Sequence, residues 1–573
     1  MEPSPIIARL LAARGIRPEA YEEFFDPSLK RLVPPTNLPG VSTAVQLILD
    51  HVKRQREIVV FGDYDVDGVC ACAILATVLR RLVATVYPFI PRRFSEGYGM
   101  TPASIARLLG EHPNVSLVIT VDNGITSPAE VAMLKEKGVS VIVTDHHLPG
   151  GRIPDADAIV NPRVASAAGC EELCGSGVAF FLASALVAEA VARGMYNGQK
   201  FGGPLLVMAG LATVADLMPL TGQNRVITSQ SLAMFRKFAP MGLQELLARA
   251  ARRTSDRITA KDYAYILGPR INAAGRMDDA LKAYYLIMST SRETARRRAV
   301  FVDSYNTARK TEEQKMLEEA RAQIPDPVPA AVVVGGEDWS SGVAGIVAAR
   351  IMEEVRVPVA VVTCDHGSAR APDGYNVNEA LSACRETLGR YGGHAAAGGF
   401  TLRPGCLEAF RALFAEVCAA QREANAAKIE ASLEPNPEVW IEPGDINMDL
   451  YGELQMLEPF GEGNPEPLFG IRDVTLSSIR ILGADGRHAS FEFHNRDIPR
   501  AVWWNAGERI DELRSHSAGR FDIIFTIFLS DYGPTPRLEL SLLDIRPHSA
   551  VVLTSSDQET TIVPAEHSAS SAE

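Results

Sequence analysis

Phe61-Gly-Asp-Tyr-Asp-Val-Asp-Gly68 constrains this chain more than any other stretch. It sets Asp63, Asp65 and Asp67 on alternate residues, directly after the apolar run Ile58-Val59-Val60. Such a run, closed by Gly and Asp, reads as a buried strand. The Ala-rich segment from Val69 to Leu82 reads as a helix packed close behind it. The three carboxylates therefore lie on a strand-to-helix turn, at the end of the strand where open parallel sheets bind ligands. Acids crowded there repel one another and raise each other's pKa. A divalent cation, with its preference for hard oxygen ligands, removes that cost. Taken alone, the string is equally consistent with a solvated Asp/Gly turn.

The same pattern returns twice. Residues 56 to about 220 alternate strand and helix. The apolar segment Ser116 to Val121 ends in Asp122-Asn123-Gly124, and Val139 to Thr144 ends in Asp145-His146-His147. A single acid after a strand is usually a helix cap. Acid or imidazole at the same end of successive strands points instead to a doubly wound sheet with a site at its carboxyl edge. Ala209 to Leu220 is an apolar helix pattern carrying one acid, Asp216, near its end. An unpaired acid in such surroundings is costly to bury. Beside the other acids, a metal ligand is the favoured reading over a solvent-facing helix end.

Further along, residues 225 to about 320 are mostly helical in pattern and rich in Arg, among them Arg249, Arg252, Arg253, Arg257 and the run Arg296 to Arg298. Basic helix faces of that kind are usually just solvated. Gly268-Pro-Arg-Ile-Asn-Ala-Ala-Gly-Arg276 reads as a loop whose guanidinium groups and amide suit phosphate oxygens. After Pro325-Asp-Pro-Val-Pro329 comes a second, smaller α/β unit with strands at 331–334 and 357–363. Its chemical features are Gly367-Ser-Ala-Arg370 and the Gly-rich loop Tyr391 to Gly399, where backbone N–H groups can approach an anion. Five short strand patterns between Val474 and Ile545 fit an OB-like barrel. Phe491, Trp503 and Trp504 are candidates for stacking there, with barrel core the better expectation for any one of them. Residues 1–45 read as a cap on the first domain, and the Ser/Thr/Glu-rich stretch from His548 reads as a disordered tail.

Composition narrows the class. The chain has 573 residues, enough for about three or four domains. No run approaches the ~18 apolar residues of a membrane span, and the first residues lack a signal-peptide pattern. Eight scattered Cys without a CxxC pair argue against zinc and for a reducing, cytoplasmic location. A net charge of −13 argues against indiscriminate nucleic-acid coating but leaves room for a local basic groove.

In order and spacing, Gly62 to Gly68, Val121 to Gly124, Asp145 to His147 and Val214 to Asp216 resemble the motifs of the DHH phosphoesterase superfamily. Gly268 to Met277, Trp339 to Arg350, Gly367 to Arg370 and Gly392 to Gly398 resemble its RecJ branch and the associated DHHA1 domain, as do Gly463 to Pro467 and the terminal barrel. The resemblance implies an N-terminal cap (1–45), a doubly wound parallel-sheet DHH catalytic domain (46–225), a helical connector (226–325), a smaller α/β DHHA1 domain (326–428), an OB-like β-barrel (429–547) and a tail (548–573). It also implies a manganese- or magnesium-dependent exonuclease that degrades single-stranded DNA from the 5′ end to mononucleotides. A DNA helicase and a single-strand-binding protein are implied as partners. Nothing in the pattern demands an oligomer, and a monomer is expected.

On that resemblance Asp63, Asp65, Asp67, Asp122, His146 and Asp216 hold two cations, with Asp122 bridging; metals about 4 Å apart clamp a scissile phosphate. His147 faces the phosphate, and Asp122 and Asp145 complete the catalytic set. Arg350, Ser368, Arg370, Gly392, Gly393 and His394 bind the substrate, the last five as a grip on the 5′-terminal phosphate. Arg270, Asn272 and Arg276 track the strand. Three departures stand out. Some relatives have His where this chain has Phe61, which leaves Asp63 to supply that ligand. A frequent Trp-His is Trp339-Ser340 here, and a frequent Ser is Ala371. Two other readings share parts of the pattern: a DHH enzyme for short oligonucleotides or other small phosphate substrates, and a replication scaffold that has lost catalysis. The barrel and Arg-rich connector argue against the first, and the intact set of acids and both His against the second.

Overall fold

The computed structural model describes residues 2–82, 84–97, 99–197, 202–250, 257–483, 486–507, 509–515, 519–530 and 535–548. Arg252, Arg253 and the expected tail from 549 onward lie outside the described residues. The structure is built as two units. Of the described residues, one unit comprises 16–434 together with 455–466; the other comprises 2–15, 435–454 and 467–548.

The apolar run before the Asp triplet is β1 (Glu57–Gly62), buried from Ile58 onward. β2 (Val86–Phe89), β3 (Val115–Val121), β4 (Ser140–Thr144) and β5 (Ala158–Val160) complete a five-stranded sheet. The order is β2-β1-β3-β4-β5 and every pairing is parallel. Strand order reverses between β1 and β3, which makes that edge the switch point of a doubly wound sheet. Both faces are covered, as a parallel sheet requires. The helix Val66–Arg81 and the helices Gly175–Ala192 and Gly202–Ala215 lie in one large apolar core with Ile58, Val60, Leu117 and Ile119. Val59, Phe61, Val118 and Val141 face a second core on the other side of the sheet. Against the expectation that no run approaches a membrane span, Gly175–Ala192 is long and apolar enough to match one, but 56% of it is buried inside the protein. Its apolarity is that of a core helix.

The connector is helical, as its pattern predicts, and ends in the 30-residue helix Arg292–Arg321. One part of it departs from expectation. Gly268–Met277 is an α-helix, not a loop, continuing from a π-helical turn at Tyr263–Leu267. Ile271, Ala273, Ala274 and Gly275 are buried, and a Cβ on Gly275 would sit 2.6 Å from the Tyr64 carbonyl oxygen. Small residues thus let this helix press against the Asp-rich turn.

The second α/β domain has β6 (Val332–Gly336), β7 (Val359–Thr363), β8 (His366–Arg370), β9 (Leu388–Gly393) and β10 (Ala397–Leu402), in the order β6-β7-β8-β10-β9. Only β6 and β7 are parallel. The expected Gly-rich loop is in fact the β9–β10 hairpin.

In the other unit, β12 (Phe469–Leu482), β13 (His488–Phe493), β14 (Ala501–Trp503), β15 (Arg520–Ser530) and β16 (Arg537–Pro547) form a barrel closed by the β12–β15 pairing. β11 (Val439–Trp440) is added beside β12. Phe491 and Trp503 are core, and Trp504 is exposed. The N-terminal helix Pro5–Ala13 belongs to this unit rather than capping the catalytic one. Arg14 forks onto Glu438 at 2.7 and 2.9 Å, Ser4 hydrogen-bonds Glu453, and Ile7, Leu10 and Leu11 are buried.

Candidate metal centre and substrate cleft

The Asp triplet follows β1 in a turn that only glycine permits. A Cβ on Gly68 would lie 2.4 Å from the Asp63 backbone nitrogen and 2.5 Å from its carbonyl oxygen. Asp65 caps the Val66–Arg81 helix, accepting from the N–H groups of Asp67 and Gly68 at 2.9 and 3.1 Å. Asp63 accepts from the Tyr64 N–H at 2.7 Å. Asp67 turns to the N-terminus of Gly175–Ala192, where its two oxygens accept from Gly175 and Ser176 N–H, each at 2.6 Å. That helix end carries partial positive charge and suits an anion.

Asp122 directly follows β3, held at a left-handed φ of 62°. Its Oδ1 is buried without a hydrogen bond, though His146 Nε2 lies 3.1 Å away. β4 delivers Asp145, His146 and His147. Asp145 is buried and accepts from the N–H groups of Ile125, His146 and His147 at 3.0, 2.8 and 3.1 Å. It also holds His147 Nδ1 at 2.8 Å. The buried Asn161 donates to the His147 carbonyl at 3.0 Å and steadies the same turn. Asp216 follows the helix Gly202–Ala215, with Oδ2 3.6 Å from His146 Nε2.

These groups meet as ligand sets. Asp63, Asp65 and Asp122 bring one oxygen each within 4.8 Å of one another; so do ligand atoms of Asp67, His146 and Asp216, and of Asp122, His146 and His147. Asp122 and His146 each belong to two sets, as a bridging arrangement requires. Burial first, then the neighbouring carboxylates, push Asp63, Asp122 and Asp216 well above the usual carboxylate range, and Asp65 upward as well. Burial also lowers His146. For His147 burial acts in the same direction, but the Asp145 hydrogen bond and the charges of Asp145, Asp216 and Asp63 outweigh it and push the imidazole up to about 9. Clustered buried acids, an orphaned carboxylate oxygen and one neutral imidazole fit hard divalent cations. Phe61, at the position where some relatives carry His, is core and stacks on Phe89 at 5.2 Å.

A cavity of about 220 Å³ opens on this cluster. Asp63, Tyr64, Asp65, Asp122, His147 and Asp216 line one side; Arg93, Arg276, Gly345, Ser368 and Arg370 line the rest. Ser368 and Arg370 come from β8 of the second α/β domain. Gly345 makes room for them, since a Cβ there would lie 2.8 Å from Arg370 Nη2. Arg276 donates to the Gly342 carbonyl at 2.9 Å and Arg370 to that of Ala369 at 2.8 Å. Among the described residues neither is paired with a carboxylate. Burial lowers Arg276 to about 10 and lowers Arg370 as well. Guanidinium groups held so have the chemistry that suits an anion.

Other expected site residues lie elsewhere. Asp145 does not line the cavity; it orients His147. Asn272 accepts from the Val66 N–H at 2.8 Å and so positions the Asp-rich turn. Arg270 is tied to Asp303 at 2.9 Å and Arg350 to Glu313 at 2.5 Å. Gly392, Gly393 and His394 are exposed at the end of the β9–β10 hairpin and do not line the cavity. The connector's basic run is partly neutralised, with Arg296 on Glu245 and Arg249 on Asp303. Tyr64, Arg93 and Gly345 were not singled out by the pattern. Arg93 follows β2 at the same sheet edge as the acids, with its guanidinium 5.1 Å from the Tyr64 ring. A strand interrupted by Pro88 gave little signal to place it there.

Comparison with known proteins agrees with this geometry. Family models for the DHH family N-terminal domain, the DHHA1 domain and the RecJ OB domain match residues 57–202, 327–420 and 438–544. The chain is 32% identical to the single-stranded-DNA-specific exonuclease RecJ of Bacillus subtilis (strain 168), over 94% of this chain and 68% of that protein. It is 35% identical to the RecJ of Thermus thermophilus, over 87% of this chain and 72% of that one. The crystal structure of Thermus thermophilus RecJ with Mn²⁺ superposes with a TM-score of 0.80 at 30% identity, covering 95% of this chain and 76% of that one. A Mg²⁺ complex of the same protein gives 0.73. With catalytic, second and barrel domains all matched in order, the chain belongs to the RecJ family.

Proposed function

We propose that this chain is a manganese- or magnesium-dependent exonuclease that hydrolyses single-stranded DNA from its 5′ end to mononucleotides. One observation carries the reading: carboxylates from the first sheet and guanidinium groups from both α/β domains, with no carboxylate partner among the described residues, line a single cavity. That is the charge pattern of a two-cation phosphodiesterase with a built-in seat for a further phosphate.

Asp63, Asp65 and Asp122 would hold one cation, and Asp67, His146 and Asp216 the other, with Asp122 shared. Bound there, the cations supply charge neutralisation at the scissile phosphate and a nucleophile at neutral pH. The chain's own groups do the rest. His147, oriented by Asp145, faces the reacting phosphate. Ser368 and Arg370 take the 5′-terminal phosphate, which sets the direction of digestion. Arg276 and Arg93 flank the strand, and Tyr64 offers a ring beside it. The barrel offers backbone attraction and stacking of its own for single-stranded DNA, with Trp504 exposed for that role. A helicase and a single-strand-binding protein are the expected partners on the family likeness, and the chain acts as a monomer. Eight unpaired thiols accord with a reducing cytoplasm.

The test is digestion of a long single strand, labelled at either end, with manganese, beside a short oligonucleotide and pyrophosphate. Mononucleotides released progressively from the 5′ end support the reading. Activity confined to the short substrates sinks it and favours a small-substrate phosphoesterase. Arg370→Ala should remove most of the preference for a 5′-phosphorylated over a 5′-hydroxyl strand, on the order of tenfold or more for one charge-assisted contact. An unchanged preference removes Arg370 from the end grip.

A further inference from the structure

We infer that the aromatic groove between the connector helices Leu281–Ile287 and Arg292–Arg321 is a base-stacking subsite for single-stranded DNA, engaging the strand beyond the nucleotides that fill the metal-centre cavity. The inference rests on the exonuclease reading above and adds to it a second, separate place where the chain holds the strand.

The groove is a cavity of about 330 Å³, lined by Lys282 and Tyr285 from the shorter helix and by Arg298, Phe301, Val302 and Tyr305 from the longer one. The four residues of the longer helix recur at the spacing of a single helix face, the kind of stripe that normally packs against a neighbouring element. Here part of it stays open: Phe301 is 56% exposed, and Tyr285 across from it 44%. A lone exposed ring needs no explanation, but rings gathered in one groove do. Among the described residues no two of these three rings pair with each other; Tyr285 instead meets the buried Tyr284 edge-on, at 5.4 Å. The open faces suit a flat partner.

Charge decides which flat partner. Lys282 donates to the Tyr305 hydroxyl at 2.7 Å and lies 5.1 Å from the centre of that ring. Tyr305 in turn donates to Asp278 at 2.8 Å, and Lys282 pairs with the same carboxylate. Arg298 donates to the Tyr285 carbonyl at 2.6 Å and to Ser289 Oγ at 3.2 Å, with its guanidinium 5.6 Å from the Tyr285 ring. Neither Arg298 nor the exposed Arg297 beside it has a carboxylate partner among the described residues. Aromatic faces interleaved with such cations take the bases and phosphates of a single strand, without regard to sequence. Position favours the strand over a peptide. Asp278, which Tyr305 holds, is two residues from Arg276, a lining residue of the metal-centre cavity. Tyr305 thus marks the end of the groove near that cavity and Arg298 the far end. Between them the stripe runs about 10 Å, room for two or three bases at roughly the 3.4 Å spacing of a stacked strand.

The closing experiment uses Tyr285→Ala, Phe301→Ala and the two together in the full chain. The half-saturating concentration of DNA is read from single-turnover hydrolysis with manganese, for a long single strand and for a trinucleotide that fills the cavity alone. Each substitution should raise the value for the long strand by about tenfold, the effect of losing one stacked base, and leave the trinucleotide unmoved. A long strand made abasic beyond its first few nucleotides should bind the unaltered chain as weakly as it binds the variants, because ring and base are partners in one contact. Phe301→Tyr keeps the ring and should keep the affinity; Phe301→Leu keeps only apolar bulk and should lose it. An unchanged value for the long strand in the double variant overturns the inference and leaves the groove to a peptide of a protein partner. An equal loss on the trinucleotide overturns it as well, since the rings would then act on the metal centre. So does Phe301→Leu behaving as the unaltered chain, which would reduce the ring to packing. If the unaltered chain hydrolyses neither substrate, the exonuclease reading fails and takes the inference with it. If it digests the long strand and the variants do not differ from it, the inference alone fails.

Discussion

At the scale of single residues, the sequence shows which acids are present but not which of them face the cleft. Asp145 stands in the same kind of position as Asp122, at the end of a strand, and the two look alike in the pattern. The fold separates them. Asp122 Oδ1 is left without a hydrogen bond, whereas the Asp145 carboxylate is saturated by three backbone N–H groups and His147. The histidine and the backbone donors outweigh burial and hold Asp145 below the usual carboxylate range. Asp122→Ala should therefore abolish hydrolysis while strand binding persists. Asp145→Asn should act through His147 instead. The amide turns a donor toward one of the N–H groups that Asp145 now accepts, and it no longer carries the charge that sets the ring. A fall of about 10- to 100-fold in the single-turnover rate, with strand affinity little changed, is the expectation for losing such an orienting group. Equal loss of affinity would show that Asp145 acts on the strand itself. Phe61 carries the same lesson in reverse: its place in the motif suggested a missing ligand, and its burial against Phe89 shows a core residue, with Asp63 in the ligand set.

At the scale of elements, strands and helices of strong periodicity were legible, and the junctions between them were not. Gly268 to Arg276 carries Pro and two Gly, which read as breakers, yet it is helical because its small residues are what close packing against the Asp-rich turn requires. Its polar residues consequently do different things. Asn272 holds that turn, Arg276 lines the cavity, and Arg270 points back to Asp303. The N-terminus of Gly175–Ala192 carries no motif of the sequence analysis. There the first two N–H groups hold Asp67, and a Cβ on Gly175 would lie 2.5 Å from that of Asp122. Gly175→Ala must therefore displace either Asp122, the candidate bridging ligand, or the helix end. Displacement of either should weaken manganese binding about 10- to 100-fold, with a matching loss of rate at limiting metal. Calorimetric titration with manganese checks this directly. Wild-type affinity in a folded variant would show that the centre tolerates the added methyl group and is less tightly determined than its geometry implies.

At the scale of the whole molecule, chain order misled in one respect. Adjacent segments usually share a domain, so residues 1–45 read as a cap on the domain that follows them. The structure divides them instead, with residues 2–15 in the barrel unit and the chain from Ile16 in the catalytic unit, to which 455–466 also returns. The cause is physical and nonlocal. The amphipathic helix Pro5–Ala13 buries Ile7, Leu10 and Leu11, and Arg14 finds its carboxylate partner in Glu438, more than four hundred residues away in sequence. No local pattern encodes such a partner. Removing residues 1–15 should consequently act on the barrel unit. Burial of three aliphatic side chains is worth roughly 5 kcal/mol by area, as an upper estimate, and the forked ion pair adds to it. That is comparable with the whole stability of an ordinary domain. The truncated chain should therefore show a barrel transition lowered by about ten degrees or more, on the order of a few degrees per kcal/mol. The catalytic unit, which keeps its cores and all of its ligand sets, should still unfold near its original temperature and still hydrolyse short single strands with manganese. Were the helix a cap on the catalytic domain, the pattern would invert: the manganese-stabilised transition would fall and the barrel transition would stay. Differential scanning calorimetry with and without manganese separates the two, because only the unit that holds the metal gains stability from it.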